Sequence, residues 1–431
     1  MLINFRLFDY INRNGNVFAK SHLGVELPAL LHNFFNGGNM MSLLDKILNK
    51  NKVKYDETKG EIYGEILLVN PYIDIISNAC AECYKTDNKS KDYNARAEYI
   101  SRRIATGHES ILEHSNIVMI ISMTTKAYPD LVEFQSLCKF LNTKIKIDND
   151  NVYLLIGGSL RGYKHIVRTI QNSNNVVYKV MLNQLYHLNS NIFKDFIDDG
   201  IMVKEYFKDD IKIESRESRK KNNICIENID NIGSLEMKVK KYGFKKEDLL
   251  HMCTVTVYFA RLPRVISQQL TRHRNAITQA SQRYINYSEA CFISPAECKP
   301  DRYNKDKLYK IKALDSDDIF TLDQLGKEIV SIYPQLLDQG LLKEDARAYL
   351  PNNVETSLFV TFTFWNLYHF LVLRMDKSAQ ADIRQAANDI YYIINNVLDI
   401  SLDQMQYELE PVYKKMQDNE DAYDNIDEII E

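Results

Sequence analysis

No apolar segment of the 431-residue sequence reaches the roughly 20 residues that a membrane-spanning helix needs. The N-terminal segment, MLINFRLFDYINRNG, also lacks the basic-then-apolar pattern of a secretory signal. A formal net charge of -4 argues against the broad basic surface on which generic nucleic-acid binding depends. Hydrophobic residues at 45% and charged residues at 26% are ordinary for a globular protein. We therefore expect a cytoplasmic protein that binds neither membranes nor nucleic acids.

The seven cysteines are odd in number and scattered, so reduced thiols are expected. Cys80 and Cys83 form a lone C-x-x-C pair. A zinc site would need two more ligands at comparable spacing, and Cys291 and Cys298 are too far apart for the usual short knuckle. We expect no metal site; a redox or metal role for the C-x-x-C pair is the minor alternative to buried thiols.

Length suggests two or three domains, or one domain with large insertions. A glycine-bearing break followed by a Lys/Asn-rich segment predicts an appendage or linker over residues 1–60, and an acidic tail is expected over residues 416–431. Residues 61–415 would form the main domain, with an insertion at about 125–246 that contains a charged loop, ESRESRKKNNICIENIDN. We find no internal repeat at a fixed period.

Hydrophobic periodicity predicts a mixed α+β protein with a few strands and more helix. Strands are expected in EILLV, SNIVMIISM, VYLLIGG and MCTVTVYFARL. Helices are expected in DYNARAEYISRRIA, ending near Gly107, in PRVISQQLTRHR, with Pro263 in the first turn, and in most of the chain after about Asp315.

Between Gln268 and Tyr284 lie four groups that are cationic or can become so: Arg272, His273, Arg274 and Arg283. Such groups repel one another unless solvent or an anion lies between them. A chain that leaves a helix at this point can direct successive side chains to two ligands, and the planar guanidinium suits phosphate. The pattern leaves a charged surface loop and an anion site equally open.

Further candidates lie in three polar segments. His108 and His114 in GHESILEH do not form the H-E-x-x-H zinc arrangement, so a structural pair or capping cluster is the main interpretation. Arg347 precedes a proline exit in EDARAYLPNN. His369 and Arg374 stand on an otherwise apolar helix, where an arginine must be paired; a buried ion pair and a ligand contact are comparable explanations.

Together, four segments in this order resemble the flavin-dependent thymidylate synthase family: GHESILEH, QQLTRHRNAITQASQRY, EDARAYLP and FLVLRMDKSAQADIR. FARLPRVISQQLTRHR is also similar to the family's strand-to-helix lead-in. The resemblance implies an α+β fold with helices around a central, mostly antiparallel sheet. It also implies a homotetramer whose active sites are shared between subunits.

The family converts deoxyuridylate (dUMP) to deoxythymidylate (dTMP). Methylenetetrahydrofolate is the carbon donor, and FAD reduced by NADPH is the source of hydride. By resemblance, the cofactor-binding residues are Ser110, Arg272, His273, Arg274, Gln279, Thr363, Trp365 and His369. The implied dUMP-binding residues are Gln269, Arg272, Gln279, Ala280, Ser281, Gln282, Arg283, Arg347 and Arg374.

Two of these residues are implied to act in the reaction itself. Arg374 would contact the uracil and favour ionisation of its N3, because a fixed cation stabilises developing negative charge in a dry site. Ser281 would orient the substrate without acting as a nucleophile.

The sequence departs from the family pattern in several places. The spacer between Arg274 and Ser281 is one residue shorter than usual, and the neutral Gln279 stands where glutamate is common. Thr363 and Trp365 stand where the family often has asparagine and arginine, and His369 stands where asparagine is frequent. A second hypothesis is a non-catalytic nucleotide-binding relative with a partner-binding insertion. A cysteine-dependent thymidylate synthase is disfavoured, because no cysteine lies beside the candidate phosphate-binding arginines.

Overall fold

A computed structural model describes residues 62–85, 92–169, 175–188, 220–289, 291–294, 303–313 and 316–394. The predicted appendage (1–60) and acidic tail (416–431) lie outside these residues. In the described part of the chain, no helix combines the length and the apolar character that crossing a membrane requires.

The first half of the described chain contains one antiparallel sheet and five α-helices. The strands are β1 (Ile62–Val69), β2 (Ile117–Thr124), β3 (Asn142–Asp148) and β4 (Asn151–Gly158). The helices are α1 (Tyr72–Tyr84), α2 (Tyr93–Ala105), α3 (Tyr128–Leu137), α4 (Leu160–Thr169) and α5 (Val176–Leu188), with short 3-10 helices at Glu109–His114 and Thr125–Ala127. The strand order is β1-β2-β4-β3.

The second half contains a larger antiparallel sheet. Its strands are β5 (Lys220–Lys221), β6 (Ile224–Ile229), β7 (Thr254–Pro263), β8 (Ala276–Gln279) and β11 (Glu355–Thr363). Their order is β5-β6-β7-β11-β8, and β9 (Tyr309–Ala313) and β10 (Ser316–Phe320) form a separate hairpin. The helices are α6 (Ile232–Val239), α7 (Lys246–Leu249), α8 (Arg264–Thr271), α9 (Leu322–Asp338), α10 (Lys343–Ala346), α11 (Phe364–Met375) and α12 (Ala381–Tyr392), with 3-10 helices at Lys240–Tyr242 and Arg347–Tyr349.

Strand β2 is buried on both faces, which explains its unbroken apolar sequence. Ile117 and Met119 pack into the core of the first half, whereas Val118 and Ile120 pack into the core that contains Val257 of β7. Because successive side chains of a strand point to opposite faces, a strand between two cores needs apolar residues at consecutive positions. The two sheets are therefore joined through a shared core.

The structure confirms an α+β fold with antiparallel sheets, but it contains two large sheets in place of one central sheet. The predicted helix before Gly107 is confirmed; that glycine adopts φ 86° where the helix ends. The prediction of a loop in ESRESRKKNNICIENIDN is wrong at β5 and β6, because the buried Ile224 and Ile226 pair with the neighbouring strand β7. Pro263 ends β7 and is the N-cap of α8, one position before the predicted first turn.

Candidate functional site

The Arg-His-Arg stretch forms a turn between a helix and a strand. Helix α8 ends at Thr271, Arg272 is its C-cap, and Arg274 adopts a left-handed φ of 52° before β8 begins. A positive φ is uncommon outside glycine and reverses the chain sharply. Arg272 and Arg274 are exposed, while His273 between them is half-buried. The prediction that this stretch begins on a helix and leaves it is confirmed.

Helix α11 brings the second group of candidates to this turn. It follows β11, which is antiparallel to β7, so α8 and α11 start at opposite ends of the strand pair. An α-helix rises about 1.5 Å per residue, and the last turn of α11 therefore reaches the end of α8. There Arg374 Nε donates a hydrogen bond to His273 Nε2 at 3.1 Å. The rings of His369 and Phe370 lie 6.1 and 5.2 Å from that of His273.

In the cluster of Arg272, His273, His369 and Arg374, burial and neighbouring positive charges shift the pKa values of two side chains. Burial, with Arg374 and His369 acting in the same direction, lowers the pKa of His273 to about 4. Since His273 Nε2 accepts from Arg374, the neutral ring fits the observed bond. Burial and then the charge of Arg272 lower the pKa of Arg374. Among the described residues, no carboxylate forms an ion pair with Arg272 or Arg374, so the cluster has the charge of an anion site without its own counterion.

Amide side chains flank the cluster. Asn366 Nδ2 donates to Asn275 Oδ1 at 3.0 Å, while Asn275 Nδ2 is buried and no described residue accepts a hydrogen bond from it. Gln269 Nε2 donates to Gln380 Oε1 at 2.8 Å, and Gln380 in turn donates to Asp382. A buried amide without a partner costs free energy that a ligand oxygen could recover.

The segment after β8 is held by backbone and hydroxyl contacts. Gln279 Nε2 donates to Ser267 Oγ at 2.9 Å and to Thr356 Oγ1 at 3.1 Å. Ser281 N donates to the carbonyl of Cys83 at 3.0 Å, and Ser281 Oγ accepts from the backbone of Arg283. Ala280 and Gln282 are buried beside them. The structure therefore presents Ser281 on a fixed backbone.

A second group of arginines surrounds this segment. Arg283 pairs with Glu344 at 3.3 Å, and Arg347 Nε donates to the carbonyl of Glu344 at 3.0 Å. Arg264 Nη1 is buried and has no hydrogen-bond partner among the described residues. Burial lowers the pKa of Arg264, the Tyr287 hydroxyl opposes this shift, and the charge of Arg347 adds to it. Two guanidinium groups thus lie near each other with one donor unused.

Other predicted residues lie apart from the cluster. Thr363 is the N-cap of α11, its Oγ1 accepting from Asn366 N at 3.1 Å, and Trp365 packs on His251 with ring centroids 4.9 Å apart. Ser110 is exposed on the 3-10 helix Glu109–His114. No contact in the described chain joins Ser110 to the Arg272 cluster.

The histidines of GHESILEH have structural positions. His114 is fully buried and bonds Thr361 Oγ1 at 2.9 Å and Thr278 Oγ1 at 2.8 Å through its two ring nitrogens. His108 bonds the hydroxyl of Tyr84 at 3.0 Å. In the part of the chain that the structure describes, no group of three or more His, Cys, Asp or Glu side chains could hold a metal ion. His108 and His114 thus each have a hydrogen-bond partner within the protein, and they do not bond each other within the described residues.

Arg264 is the main residue that sequence reasoning missed. It occupies the first position of α8, where a positive charge opposes the helix dipole. That unfavourable placement was the available signal. Tyr287, Asn275 and Gln380 had no sequence signal of comparable strength.

Comparisons with known proteins agree on one family. Residues 205–398 match the family model described as thymidylate synthase complementing protein. The chain is 35% identical over 150 residues to the flavin-dependent thymidylate synthase of Pyrococcus furiosus, covering 34% of this chain and 56% of that protein. Those of Kosmotoga olearia and Treponema denticola are each 30% identical over 133 and 154 residues, covering 30% and 34% of this chain and 58% of each relative. The chain thus spans little more than half the length of these relatives.

Proposed function

From the match of residues 205–398 to the model described as thymidylate synthase complementing protein, we propose that this chain is a flavin-dependent thymidylate synthase. The reaction is the reductive methylation of dUMP to dTMP, with methylenetetrahydrofolate as carbon donor. FAD, reduced by NADPH, supplies the hydride when bound. The observation that carries the proposal is the cationic cluster of α8 and α11, which has no carboxylate counterion within the described residues.

Arg272, His273 and Arg274 would hold FAD together with His369 of α11. Thr363 and Trp365 would contact another part of the cofactor from the start of the same helix. The unpaired arginines suit the pyrophosphate of the cofactor, because guanidinium groups bind phosphate oxygens in a planar, bidentate manner. The orphan amide of Asn275 adds a donor of the kind that a ligand carbonyl could accept. The guanidinium and amide donors of this site therefore suit the phosphate and carbonyl oxygens of FAD.

The dUMP phosphate would bind at the second arginine group. Arg283 and Arg347 are the predicted contacts, and Arg264 adds a buried Nη1 that bonds nothing in the part of the chain that the structure describes. Ser281 and the backbone around it would orient the nucleotide. The walls of the nucleotide site would be formed by the buried Ala280 and Gln282 and by Gln269 and Gln279. Hydrogen bonds to Gln380 and Ser267 hold the side chains of Gln269 and Gln279 in place.

Arg374 would contact the uracil ring. A guanidinium held at 3.1 Å from His273 cannot move freely, so its charge is already oriented when negative charge develops at N3. His273, neutral at physiological pH because burial lowers its pKa to about 4, adds no competing positive charge. The protein would thus polarise the ring without a cysteine nucleophile.

Ser110 fits this proposal only through another copy of the chain. It is exposed and lies away from the cluster of its own chain, so we assign it to the flavin of a neighbouring subunit in a homotetramer with shared sites. We also propose a cytoplasmic location and residues 61–415 as the catalytic domain. The insertion predicted at 125–246 contributes β3 and β4 to the first sheet and β5 and β6 to the second. The appendage and the acidic tail stay predictions.

The test begins with the visible absorption spectrum of the purified protein. NADPH is then added anaerobically with dUMP and methylenetetrahydrofolate, and dTMP is measured. A flavin spectrum that bleaches together with dTMP formation supports the proposal. Binding of dUMP without NADPH oxidation would favour the non-catalytic relative, and a protein that takes up no added FAD would reject the flavin assignment.

A further inference from the structure

The four strands of the first large sheet and the four strands of the second that follow β5 have the same topology. The order β1-β2-β4-β3 in the first corresponds to β6-β7-β11-β8 in the second, and all neighbouring strands are antiparallel. The helices follow the strands in the same sequence: α1 corresponds to α6, Glu109–His114 to α7, α3 to α8, α4 to α11 and α5 to α12. We call the described residues within 62–188 the first unit and those within 224–394 the second unit.

Local details repeat as well. The bulge of β1 lies between Ile66 and Leu68, and that of β6 between Ile226 and Asn228, each near the end of the first strand of its unit. A bulge is a specific irregularity that pairing geometry does not demand. Its recurrence at the same point supports a structural duplication.

The link after each first strand carries the same hydrogen bonds. Asn70 N donates to the carbonyl of Asn116 at 3.1 Å, and Asn70 Oδ1 accepts from Asn116 N at 2.9 Å. Asp230 N donates to the carbonyl of Thr254 at 2.9 Å, and Asp230 Oδ2 accepts from Thr254 N at 2.6 Å. The side-chain identities differ, but the acceptor oxygen is kept.

Contacts between the units are reciprocal. Gly157 and Thr361 each lie three residues before the helix that follows, α4 or α11. His114 of the first unit bonds Thr361 of the second, and Met252 of the second packs against Gly157 of the first, where an added Cβ would lie 2.9 Å from Met252 Cβ. Reciprocal contacts of this kind define a twofold arrangement, as in an isologous dimer.

A second reciprocal pair supports the same operation. Tyr153 and Ser357 each lie seven residues before α4 or α11. Ser357 Oγ bonds Glu82 at the end of α1, while the ring of Tyr153 lies 5.1 Å from that of Tyr242, which follows α6. The chain therefore forms a dimer-like pair of units within one polypeptide.

The first unit has a cavity where the second has its proposed cofactor site. This cavity of about 490 Å³ is lined by Ser159, which precedes α4 as Thr363 precedes α11, and by His165, the sixth residue of its helix as His369 is of α11. The paired registers of β3 and β8 place Cys138–Phe140 where the second unit has Arg272–Arg274. Neither arginine of that turn has a counterpart.

The two arginines that line this cavity, Arg161 and Arg168, each pair with a carboxylate. Arg168 Nη1 donates to Glu109 Oε2 at 2.7 Å, and the buried Lys164 lies 3.3 Å from the same carboxylate. Arg161 pairs with Glu113. The hydrogen bond from Arg168 lowers the pKa of Glu109, so the carboxylate stays charged. An incoming phosphate would have to displace these carboxylates, which the second unit's cluster does not require.

The first unit instead contacts the segment after β8 of the second unit, which carries Ser281 and is proposed to bind dUMP. The carbonyl of Cys83, at the end of α1, accepts from Ser281 N at 3.0 Å. Lys85 Nζ donates to Ser357 Oγ at 2.7 Å, and the Tyr84 ring lies 5.0 Å from that of Tyr284. We propose that the first unit is a built-in partner that forms one wall of the second unit's nucleotide site, so that each chain carries one active site. This inference rests on the function proposed above.

Binding stoichiometry tests the number of sites. FAD and dUMP bound per full-length chain at saturation are measured for the wild type, His165→Ala in the first unit and His369→Ala in the second. We expect one equivalent of each ligand, no change with His165→Ala, and a loss of FAD affinity of roughly tenfold or more with His369→Ala. Two equivalents, or half the FAD with His165→Ala, would overturn the inference while leaving the proposed reaction intact. One equivalent of each without dTMP formation would reject the reaction alone, and no binding of either ligand would reject both.

Paired variants of the first unit test the wall. Tyr84→Ala should raise the KM for dUMP several-fold and change kcat little. Because a tenfold change in affinity corresponds to about 1.4 kcal/mol, the expected loss of binding free energy is on the order of 1 kcal/mol. Tyr128→Ala, on an exposed tyrosine of α3, is the matched control and should leave KM unchanged. Coincident unfolding curves for the two variants exclude a folding defect. Equal KM values for Tyr84→Ala and the control would remove the first unit from the nucleotide site.

Discussion

At the scale of single residues, the site is defined by charges that the protein does not neutralise. Arg374 illustrates this, since its side chain donates to the neutral ring of His273 and pairs with no carboxylate among the described residues. Arg374→Lys keeps the charge but loses the planar fork, so we expect kcat to fall roughly tenfold or more while the free energy of unfolding changes by less than about 1 kcal/mol. Steady-state kinetics and urea unfolding measure the two effects.

Arg261→Lys is the control for this substitution, because Arg261 pairs with Glu355 on neighbouring strands. It should alter neither kcat nor the KM for dUMP. Wild-type turnover in Arg374→Lys would remove Arg374 from the reaction.

Arg264 should stabilise the complex with dUMP but destabilise the free protein. An unpaired buried donor costs free energy, so Arg264→Met should raise the unfolding free energy of the free protein by ~1 kcal/mol. The same variant should raise the KM for dUMP by roughly tenfold and lose the thermal stabilisation that dUMP provides. Thermal unfolding with and without dUMP measures both effects. A stabilised variant that still binds dUMP normally would place the phosphate elsewhere.

His114 should make stability depend on pH in a defined direction. Burial lowers its pKa to about 4 from the ordinary 6.5, so the unfolded chain binds the proton more readily than the folded one. Its contribution is complete above about pH 6.5 and is lost as the pH falls toward 4, by at most ~3 kcal/mol. His273, whose pKa is also lowered to about 4, adds a smaller effect of the same sign.

Urea unfolding at pH 7, 5.5 and 4.5 measures this slope. His114→Gln should be less stable than the wild type at pH 7, because it cannot reproduce both threonine bonds, and should lose much of the slope. His165→Gln, at an exposed histidine, should keep the full slope. An unchanged slope in His114→Gln would assign the pH dependence to other groups.

At the scale of elements, the packing of helix α9 onto the segment around Phe292 supports the part of the chain that carries Arg347. Gly326 of α9 allows this contact, since an added Cβ would lie 2.1 Å from Phe292 Cδ1. Gly326→Ala should therefore cost ~1–3 kcal/mol of stability through overpacking. Chemical unfolding measures the loss.

Gly233 of helix α6 provides the matched control. An added Cβ there would have only Asn231 Oδ1 within 4 Å, at 3.7 Å. Gly233→Ala should stabilise by up to about 1 kcal/mol, because alanine favours helix more than glycine does. A gain at both glycines would mean that α9 shifts at no cost.

At the scale of the whole molecule, the reciprocal contacts join the two units into one folding unit. Gly157→Ala in the first unit would force Met252 of the second unit away from β4. The single tryptophan, Trp365, lies in the second unit and reports on it alone. We expect the variant to lower the midpoints measured by tryptophan fluorescence and by circular dichroism equally, with a loss of ~1–3 kcal/mol.

Val132→Ala, at a half-exposed position of α3 away from this contact, should leave both midpoints unchanged. A Gly157→Ala variant that lowers the circular dichroism midpoint but not the fluorescence midpoint would show that the units unfold independently.

Most element types and the residues of the cationic turn were predictable from local sequence alone. Helices, strands and the exit after Arg274 depend on local periodicity and on glycine, proline and charge at particular positions, which are readable from neighbouring residues. Arg374 was visible because permanent charge on an otherwise apolar helix requires a partner, and the arginines of the turn were visible because like charges so close together need solvent or an anion between them. β5 and β6 were missed because a charged segment surrounds a short buried strand.

Only the tertiary structure decided which of these residues meet. Arg374 bonds His273 across 101 positions of sequence, and the buried Arg264 became a candidate only when its environment was known. The duplication was invisible in the sequence because matching positions keep geometry and change chemistry, as Asn70 and Asp230 or Gly157 and Thr361 do. Backbone hydrogen bonds keep strands and helices in place whichever side chains they carry. A side chain can therefore change when the residue that it contacts changes with it.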